Sequence, residues 1–279
     1  MFAKLLKHEF RATRGIIGLL CAIILGSGVV VGAVVRYMIW MDDHTVMTAS
    51  DEPGVVMILC TLVLLAAILA IAVCGSGSVF FLIFRFYKSR FTDEGYLTFT
   101  LPVSHHQLLL SSIANTIIGT VLVVLTAFVA IGIAVLLFLS AFPQEYLWAD
   151  VEYTVSVGLK DMWMMLWPQL KEAFAEYGME IGLALFSAVS SAVSELVTLM
   201  LSVTIGALIA KKHKILAAIA VYYGINMVMS FVHAMISLTF AAVQNVTWFV
   251  AFPGFMALVL AVAGYFLMYY LTSRKLNLA

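Results

Sequence analysis

Long uninterrupted apolar blocks constrain this chain more than any other feature of its sequence. A helix that crosses a hydrocarbon core of about 30 Å needs about 20 consecutive, mostly apolar residues. The sequence offers such blocks as solid runs, unlike the short alternating segments of a β-barrel, and therefore predicts α-helices. The six predicted spans are Gly15–Met38, Val55–Phe84, Leu108–Leu139, Ile181–Ala210, Ile215–Ala242 and Phe249–Leu271.

Composition argues against a water-soluble fold. Of the 279 residues, 64% are hydrophobic and 11% are charged, and the mean hydropathy is +1.09. Soluble domains carry about 25% charged and about 45–50% apolar residues. The net charge of zero gives no indication of a nucleic-acid partner. We therefore expect residues 1–279 to form a single all-α transmembrane domain.

Basic residues are unequally divided between the two sets of connections. The N-terminus, the loop after the second span, the turn after the fourth and the C-terminal tail hold twelve of the 15 Lys and Arg residues. The other connections hold only Arg36, Lys160 and Lys171. Because positive charge concentrates on the cytoplasmic side, both termini are predicted to be cytoplasmic, which requires an even number of spans.

Two amphipathic segments are predicted outside the spans. In residues 1–14 an apolar face opposes a basic face, as in an interfacial elbow helix, although a frayed basic tail is the alternative. Residues 141–180 form an outer segment, for which interfacial anchoring is favoured over substrate gating. Its Pro168 is expected to kink the helix or to begin a second one. The apolar residues at helical spacing are Trp163, Leu166, Trp167, Leu170, Phe174 and Tyr177.

No catalytic motif is visible. The sequence lacks GxxxxGK[ST], HExxH and GxSxG, so the chain is predicted to be no enzyme and to bind neither nucleotide nor metal by itself. The glycine cluster from Gly75 to Ser78 lies inside an apolar run, which favours close helix packing or local bending over a phosphate loop. Gly28 and Gly32 form a GxxxG pair, a spacing that lets two helices approach closely but also occurs by chance.

The most informative polar segment is residues 85–107, RFYKSRFTDEGYLTFTLPVSHHQ. Thr92 followed by two acidic residues suits the start of a short helix. Pro102 ends that helix, and Ser104 with Gln107 fits a capping box that opens the third span. Such a segment can bind a cytosolic partner or merely connect two spans, and the residues favour neither interpretation.

The block DEGYLTFTLPVSHHQLLLSS resembles the corresponding segment of ABC-2-type transporter permeases, bacterial exporter subunits that work with a separate ATPase. The opening MFAKLLKHEFRATRG and the ending SRKLNLA are also similar to that family. The resemblance implies that this block is a coupling helix that docks on the ATPase subunit. The pair His105-His106 departs from the family pattern, and suggests mildly pH-sensitive docking or, more simply, solvated loop histidines. The positions carried over are Asp93, Glu94, Gly95, Tyr96, Leu97 and Pro102.

The resemblance also implies the biological setting. The chain would be the permease subunit of an ABC exporter in the bacterial plasma membrane, paired with a second permease subunit, identical or different. It would hold no cofactor, because the partner ATPase binds ATP and Mg. The expected substrate is hydrophobic or amphipathic: a peptide such as a bacteriocin, a drug or a lipid.

Glu195 lies in the middle of the fourth predicted span. A charged side chain at that depth costs at least about 2.5–3.5 kcal/mol, so Glu195 should face protein or water, with protonation as one way to lower the cost. We expect it to pair with His233 or Asn226 of the fifth span, as part of a substrate path or as a structural hydrogen bond. The polar residues at helical spacing around it are Ser187, Ser191, Ser194, Thr198 and Ser202.

Three other functions compete with export by an ABC system. A proton-coupled secondary transporter could use Glu195 and His233, although the two halves of the chain show no convincing repeat. A non-transporting immunity or scaffold protein would not need the docking block. A membrane-embedded enzyme would need paired carboxylates or a histidine cluster near one membrane interface; none is recognised there, and His105-His106 alone do not make a site.

Overall fold

Six α-helices dominate the structure, a computed structural model that describes residues 2–44, 54–92, 95, 103–140, 159–210, 212–242 and 246–274. These residues contain no β-strand. Each predicted span corresponds to a different helix. The predicted all-α architecture, with six helices long and apolar enough to span a membrane, is therefore confirmed for the described residues. The helices are α1 (Phe2–His44), α2 (Val55–Phe91), α3 (His105–Leu139), α4 (Leu159–Ile209), α5 (Lys214–Ala242) and α6 (Val246–Arg274).

Proline explains several of the helix boundaries. Pro53, Pro102 and Pro143 all lie between helices in the sequence. Proline has no backbone N–H and disfavours helical geometry in the residue before it, so the sequence disfavours one uninterrupted helix across each of these positions. Only α4 and α6 contain a proline, Pro168 and Pro253 respectively.

The helix α1 is continuous where the sequence predicted a separate elbow. Its 43 residues correspond to a length of about 65 Å, roughly twice the hydrocarbon thickness of a bilayer. No proline interrupts it near Arg14, and the helix continues through Thr13 and Gly15, so no helix end separates residues 2–14 from the first span. The predicted amphipathicity is present: Leu5, Leu6 and Phe10 are half-buried, whereas Lys4 is exposed. The position of this segment on a membrane surface stays a prediction.

The helix α4 is interrupted after Pro168, not at it. The backbone leaves helical geometry at Tyr177 (φ −114°, ψ 19°), next to Gly178, and this point separates the outer segment from the fourth predicted span. Pro168 itself lies within the helix. The expectation that a second helix begins at the proline is therefore wrong, because a proline removes one backbone hydrogen bond and the rest of the helix can continue around it. The alternative, a kink at Pro168, stays a prediction. The side chains of Trp167, Phe174 and Tyr177 are exposed.

The chain divides into two units, and long helices contribute to both. The first unit combines Met1–Phe10, Phe81–Ile117 and Gln169–Ala279, and its largest fully buried side chains include Phe86, Leu82, Met200 and Met268. Within it α4 and α6 meet through Phe186 and Phe255, whose ring centroids are 5.2 Å apart. The second unit combines Arg11–Phe80 with Ile118–Pro168.

In the second unit the GxxxG pair has a definite partner, the helix α3. A Cβ atom on Gly28 would lie 2.7 Å from the carbonyl oxygen of Ala130, and one on Gly32 would lie 2.7 Å from Cβ of Leu137. Such distances leave no room for a side chain, so the two backbones touch directly. In contrast, nothing lies within 4 Å of Gly75 or Gly77, and the close packing predicted for that cluster is not found in the described part of the chain.

Replacement of Gly28 by valine is expected to destabilise the protein strongly. The new side chain would overlap Ala130, and overpacking of this kind costs up to about 3 kcal/mol. Thermal unfolding of the purified protein in detergent measures the effect. The matched control is Gly26→Val, because nothing lies within 4 Å of Gly26 on the same helix. Equal melting temperatures for the two variants would contradict the proposed α1–α3 contact.

Candidate functional site

The structure describes only part of the predicted coupling segment. Asp93, Glu94, Tyr96, Leu97 and Pro102 lie outside the described residues. The first residues of the segment, 85–91, belong to the end of α2. The last turn of this helix carries basic residues, which complement the negative end of the helix dipole.

Gly95 is the described member of this predicted set, and it is buried against the end of α2. Its backbone N–H donates a hydrogen bond of 2.7 Å to the carbonyl oxygen of Thr92. A Cβ atom there would collide with the main-chain carbonyl oxygen of Arg90 and lie 2.8 Å from its carbonyl carbon. Glycine is therefore required at this position by the close approach of two backbone segments.

The start of α3 follows the predicted cap. The N–H of Gln107 lies 3.4 Å from the Ser104 hydroxyl oxygen, as expected when a serine caps the first turn. The backbone N–H of Leu108 also donates to the Ser104 carbonyl oxygen, at 3.2 Å. The predicted opening of the third span at Ser104 is thus supported by both bonds.

His106 is exposed, as the sequence suggested, but it does not lie in a loop. It lies in the first turn of α3, and its ring stacks on Tyr269 of α6 with centroids 3.6 Å apart and planes 14° apart. Its Nδ1 is 2.9 Å from the Tyr265 hydroxyl oxygen. The signal that could have indicated this contact is the spacing of Tyr265 and Tyr269, which places both rings on one helix face.

Within the spans, the partner of Glu195 is Tyr222, which the sequence analysis missed. The Tyr222 hydroxyl on α5 donates a short hydrogen bond to Oε1 of Glu195 on α4. Neither predicted partner bonds to Glu195 in the described structure. The amide of Asn226 donates to the Tyr222 carbonyl oxygen at 3.2 Å, and Nδ1 of His233 is 3.2 Å from the Met229 carbonyl oxygen.

Hydrogen bonds within α5 explain why Asn226 and His233 do not bond to Glu195. Asn226 Nδ2 and His233 Nδ1 both reach a carbonyl oxygen one turn earlier in their own helix, so these two nitrogen atoms have their partners within α5. A tyrosine hydroxyl lies at the end of a rigid ring, too far from the backbone of its own helix to bond to it. When it is buried, it therefore bonds to a group on another helix. The Nε2 atom of His233 is buried and makes no hydrogen bond within the described residues.

The hydroxyl groups predicted to surround Glu195 differ in burial. Ser194, Thr198 and Ser202 are buried, while Ser191 is exposed and Ser187 is half-buried. The Ser202 hydroxyl donates to the Thr198 carbonyl oxygen at 2.7 Å, one turn earlier in the same helix. The Ser202 hydroxyl therefore satisfies its donor within its own helix.

The fold defines the class of protein. Among the described residues, six helices are long and apolar enough to cross a membrane, and this places the chain among multi-pass membrane proteins. The same residues contain no group of three or more His, Cys, Asp or Glu side chains that could hold a metal ion. Comparisons with protein-family models, with curated proteins and with solved structures find no match to the chain.

Proposed function

We propose that this protein is the permease subunit of an ATP-binding-cassette exporter in the bacterial plasma membrane, with both termini in the cytoplasm. The observation that carries the proposal is the DEGY…LPVS block between α2 and α3, which resembles the ATPase-docking segment of ABC-2-type permeases. The arrangement of six spans agrees with such a subunit. The close approach of Gly95 to Arg90 supports a defined backbone path at the start of this block.

In the proposed mechanism the chain binds and moves its substrate but hydrolyses nothing. Two permease subunits pair, and two ATPase subunits bind ATP and Mg on the cytoplasmic side. Closure of the ATPases displaces the docked segments, and the spans rearrange around a hydrophobic or amphipathic substrate. Asp93, Glu94, Tyr96, Leu97 and Pro102 would contact the ATPase, and Gly95 would allow the chain to follow the end of α2.

The Glu195–Tyr222 pair favours one alternative, a proton-coupled secondary transporter. A carboxyl group and a histidine with an unused ring nitrogen lie in the spanning helices, where ionisable groups are costly and often belong to proton or substrate pathways. In that function the partner ATPase would be absent, so the same experiment separates the two candidates.

The test is purification of the tagged chain from its native membranes in mild detergent, with identification of the bound proteins by mass spectrometry. We expect a P-loop ATPase in stoichiometric amount. The triple variant Asp93→Asn, Glu94→Gln, Tyr96→Ala should lose it, because the proposed docking side chains are gone. The matched control is Asp42→Asn with Asp43→Asn, which removes an acidic pair on the predicted outer side. Purification without an ATPase would contradict the proposal and favour the proton-coupled alternative.

A further inference from the structure

Arg90, in the last turn of α2, is buried to an unusual degree for a charged residue. Its side chain is 3% exposed, and the neighbouring Phe86 and Leu108 are equally well buried. Burial removes the solvation of a guanidinium group, so the surrounding protein must supply hydrogen bonds and opposite charge. The resemblance to permeases rests on the docking block, which does not include Arg90. The burial of Arg90 therefore needs a separate explanation.

The contacts of Arg90 join three parts of the first unit. Its Nη2 donates a 2.6 Å hydrogen bond to the carbonyl oxygen of Leu108, in the first turn of α3. The same nitrogen lies 3.7 Å from Oε1 of Glu9, near the start of α1, and the Glu9 side chain is 14% exposed. The main-chain carbonyl of Arg90 is the group against which Gly95 packs. One residue therefore contacts Gly95 near the start of the docking block, Leu108 in α3 and Glu9 in α1.

The chemistry of these contacts requires arginine. A guanidinium group presents several N–H donors in a rigid plane, so it can bond to a carbonyl oxygen while it faces a carboxylate. A lysine ammonium group would keep the charge without this geometry. In addition, the Nε atom of Arg90 has no hydrogen-bond partner among the described residues. A buried charge with an unpaired donor is weak evidence for a stabilising role. The contacts of Arg90 point instead to control of the local backbone geometry.

We propose that Arg90 is a positioning residue, with Glu9 as its counter-charge. The guanidinium group locks the first turn of α3 and the N-terminal part of α1 to the end of α2, and so fixes the backbone on both sides of the docking block. The consequence for ATPase binding rests on the proposed function. The predicted effect of Arg90 on the local backbone geometry does not rest on the proposed function, and it can be measured on this chain alone.

The first measurement is hydrogen–deuterium exchange of the full-length chain in detergent, compared between wild type, Arg90→Lys and Glu9→Gln. Exchange at Gly95 and at residues 103–109 should be faster by about tenfold in Arg90→Lys and by a smaller factor in Glu9→Gln. Peptides from α5 and α6 should exchange as in the wild type. Lys88→Gln is the matched control, because it removes an exposed basic side chain from the same helical turn.

The second measurement is the amount of ATPase that purifies with each variant. Arg90→Lys should retain a small fraction of the wild-type amount, and Lys88→Gln should retain all of it. Unchanged exchange at Gly95 and residues 103–109 in both variants would overturn the positioning role. Faster exchange with unchanged ATPase capture would overturn its consequence for docking.

Two further outcomes separate this inference from the proposed function. If the wild-type chain captures no ATPase, the proposed function fails, and the exchange result alone decides the role of Arg90. If Arg90→Lys does not fold, Glu9→Gln decides, because it keeps the guanidinium group and removes only the opposite charge.

Discussion

Substitution of Gly95 by alanine is expected to reduce ATPase capture by about tenfold or more, while the protein still folds. The added methyl group would overlap the main-chain carbonyl group of Arg90, and a backbone atom cannot move aside as the end of a flexible side chain can. Overpacking costs about 1–3 kcal/mol, and a loss of 1.4 kcal/mol corresponds to about a tenfold change in binding. Purification from native membranes with quantitative mass spectrometry measures the ratio of ATPase to permease.

The control is the same substitution at Gly75 of α2. Nothing lies within 4 Å of that residue, and alanine is the better helix former, so Gly75→Ala should retain full capture and normal stability. Wild-type capture by Gly95→Ala would show that the contact with Arg90 does not control docking. Loss of folding in Gly95→Ala would show instead that the contact is essential to the first unit.

Replacement of Tyr222 by phenylalanine is expected to lower the free energy of unfolding by about 2 kcal/mol, because the partly buried Glu195 carboxyl group loses its donor. Unfolding of the purified protein in detergent, followed by thermal or denaturant titration, measures the change. Tyr223→Phe is the matched control on the next residue. Its side chain is exposed, so its effect should stay within about 0.5 kcal/mol.

A double-mutant cycle with Glu195→Gln tests the pair itself. Glutamine keeps an acceptor for the tyrosine hydroxyl, so this variant should cost less than Tyr222→Phe. The double variant should be more stable than the sum of the two single effects predicts, by up to about 1 kcal/mol, since Glu195→Gln weakens the hydrogen bond that Tyr222→Phe removes. Additive effects would show that Glu195 and Tyr222 contribute independently. Normal ATPase activity of a captured Glu195→Gln complex would assign the pair a structural role.

The candidate sites show which features of a site can be predicted from sequence patterns. The unusual character of Glu195 was predictable, because a carboxyl group in an apolar run must find a partner or lose its charge. The identity of the partner was not, because Tyr222, Asn226 and His233 lie on the same helix within a few turns of each other. Only the structure shows that Asn226 and His233 bond to their own helix, which leaves Tyr222 for the contact between helices.

For packing between helices, too, the sequence does not show which helices are in contact. The spacing of Gly28 and Gly32 indicates that some helix can approach closely, but the spacing contains no information about which helix does so. The structure assigns that contact to α3 through Ala130. From the sequence, His106 is only a polar residue at the end of a loop. The structure shows that its ring stacks on Tyr269 of α6.

The sequence by itself determined the class of protein, the helical architecture and the places along the chain of the six helices that are long and apolar enough to cross a membrane. It could do so because a segment within a bilayer must satisfy its backbone hydrogen bonds internally, so length and composition decide each span separately. The tertiary structure decided the interruption at Tyr177, the partner of Glu195 and the contacts of Arg90. These depend on which helices become neighbours, and that choice results from side-chain packing between segments that are distant in the sequence.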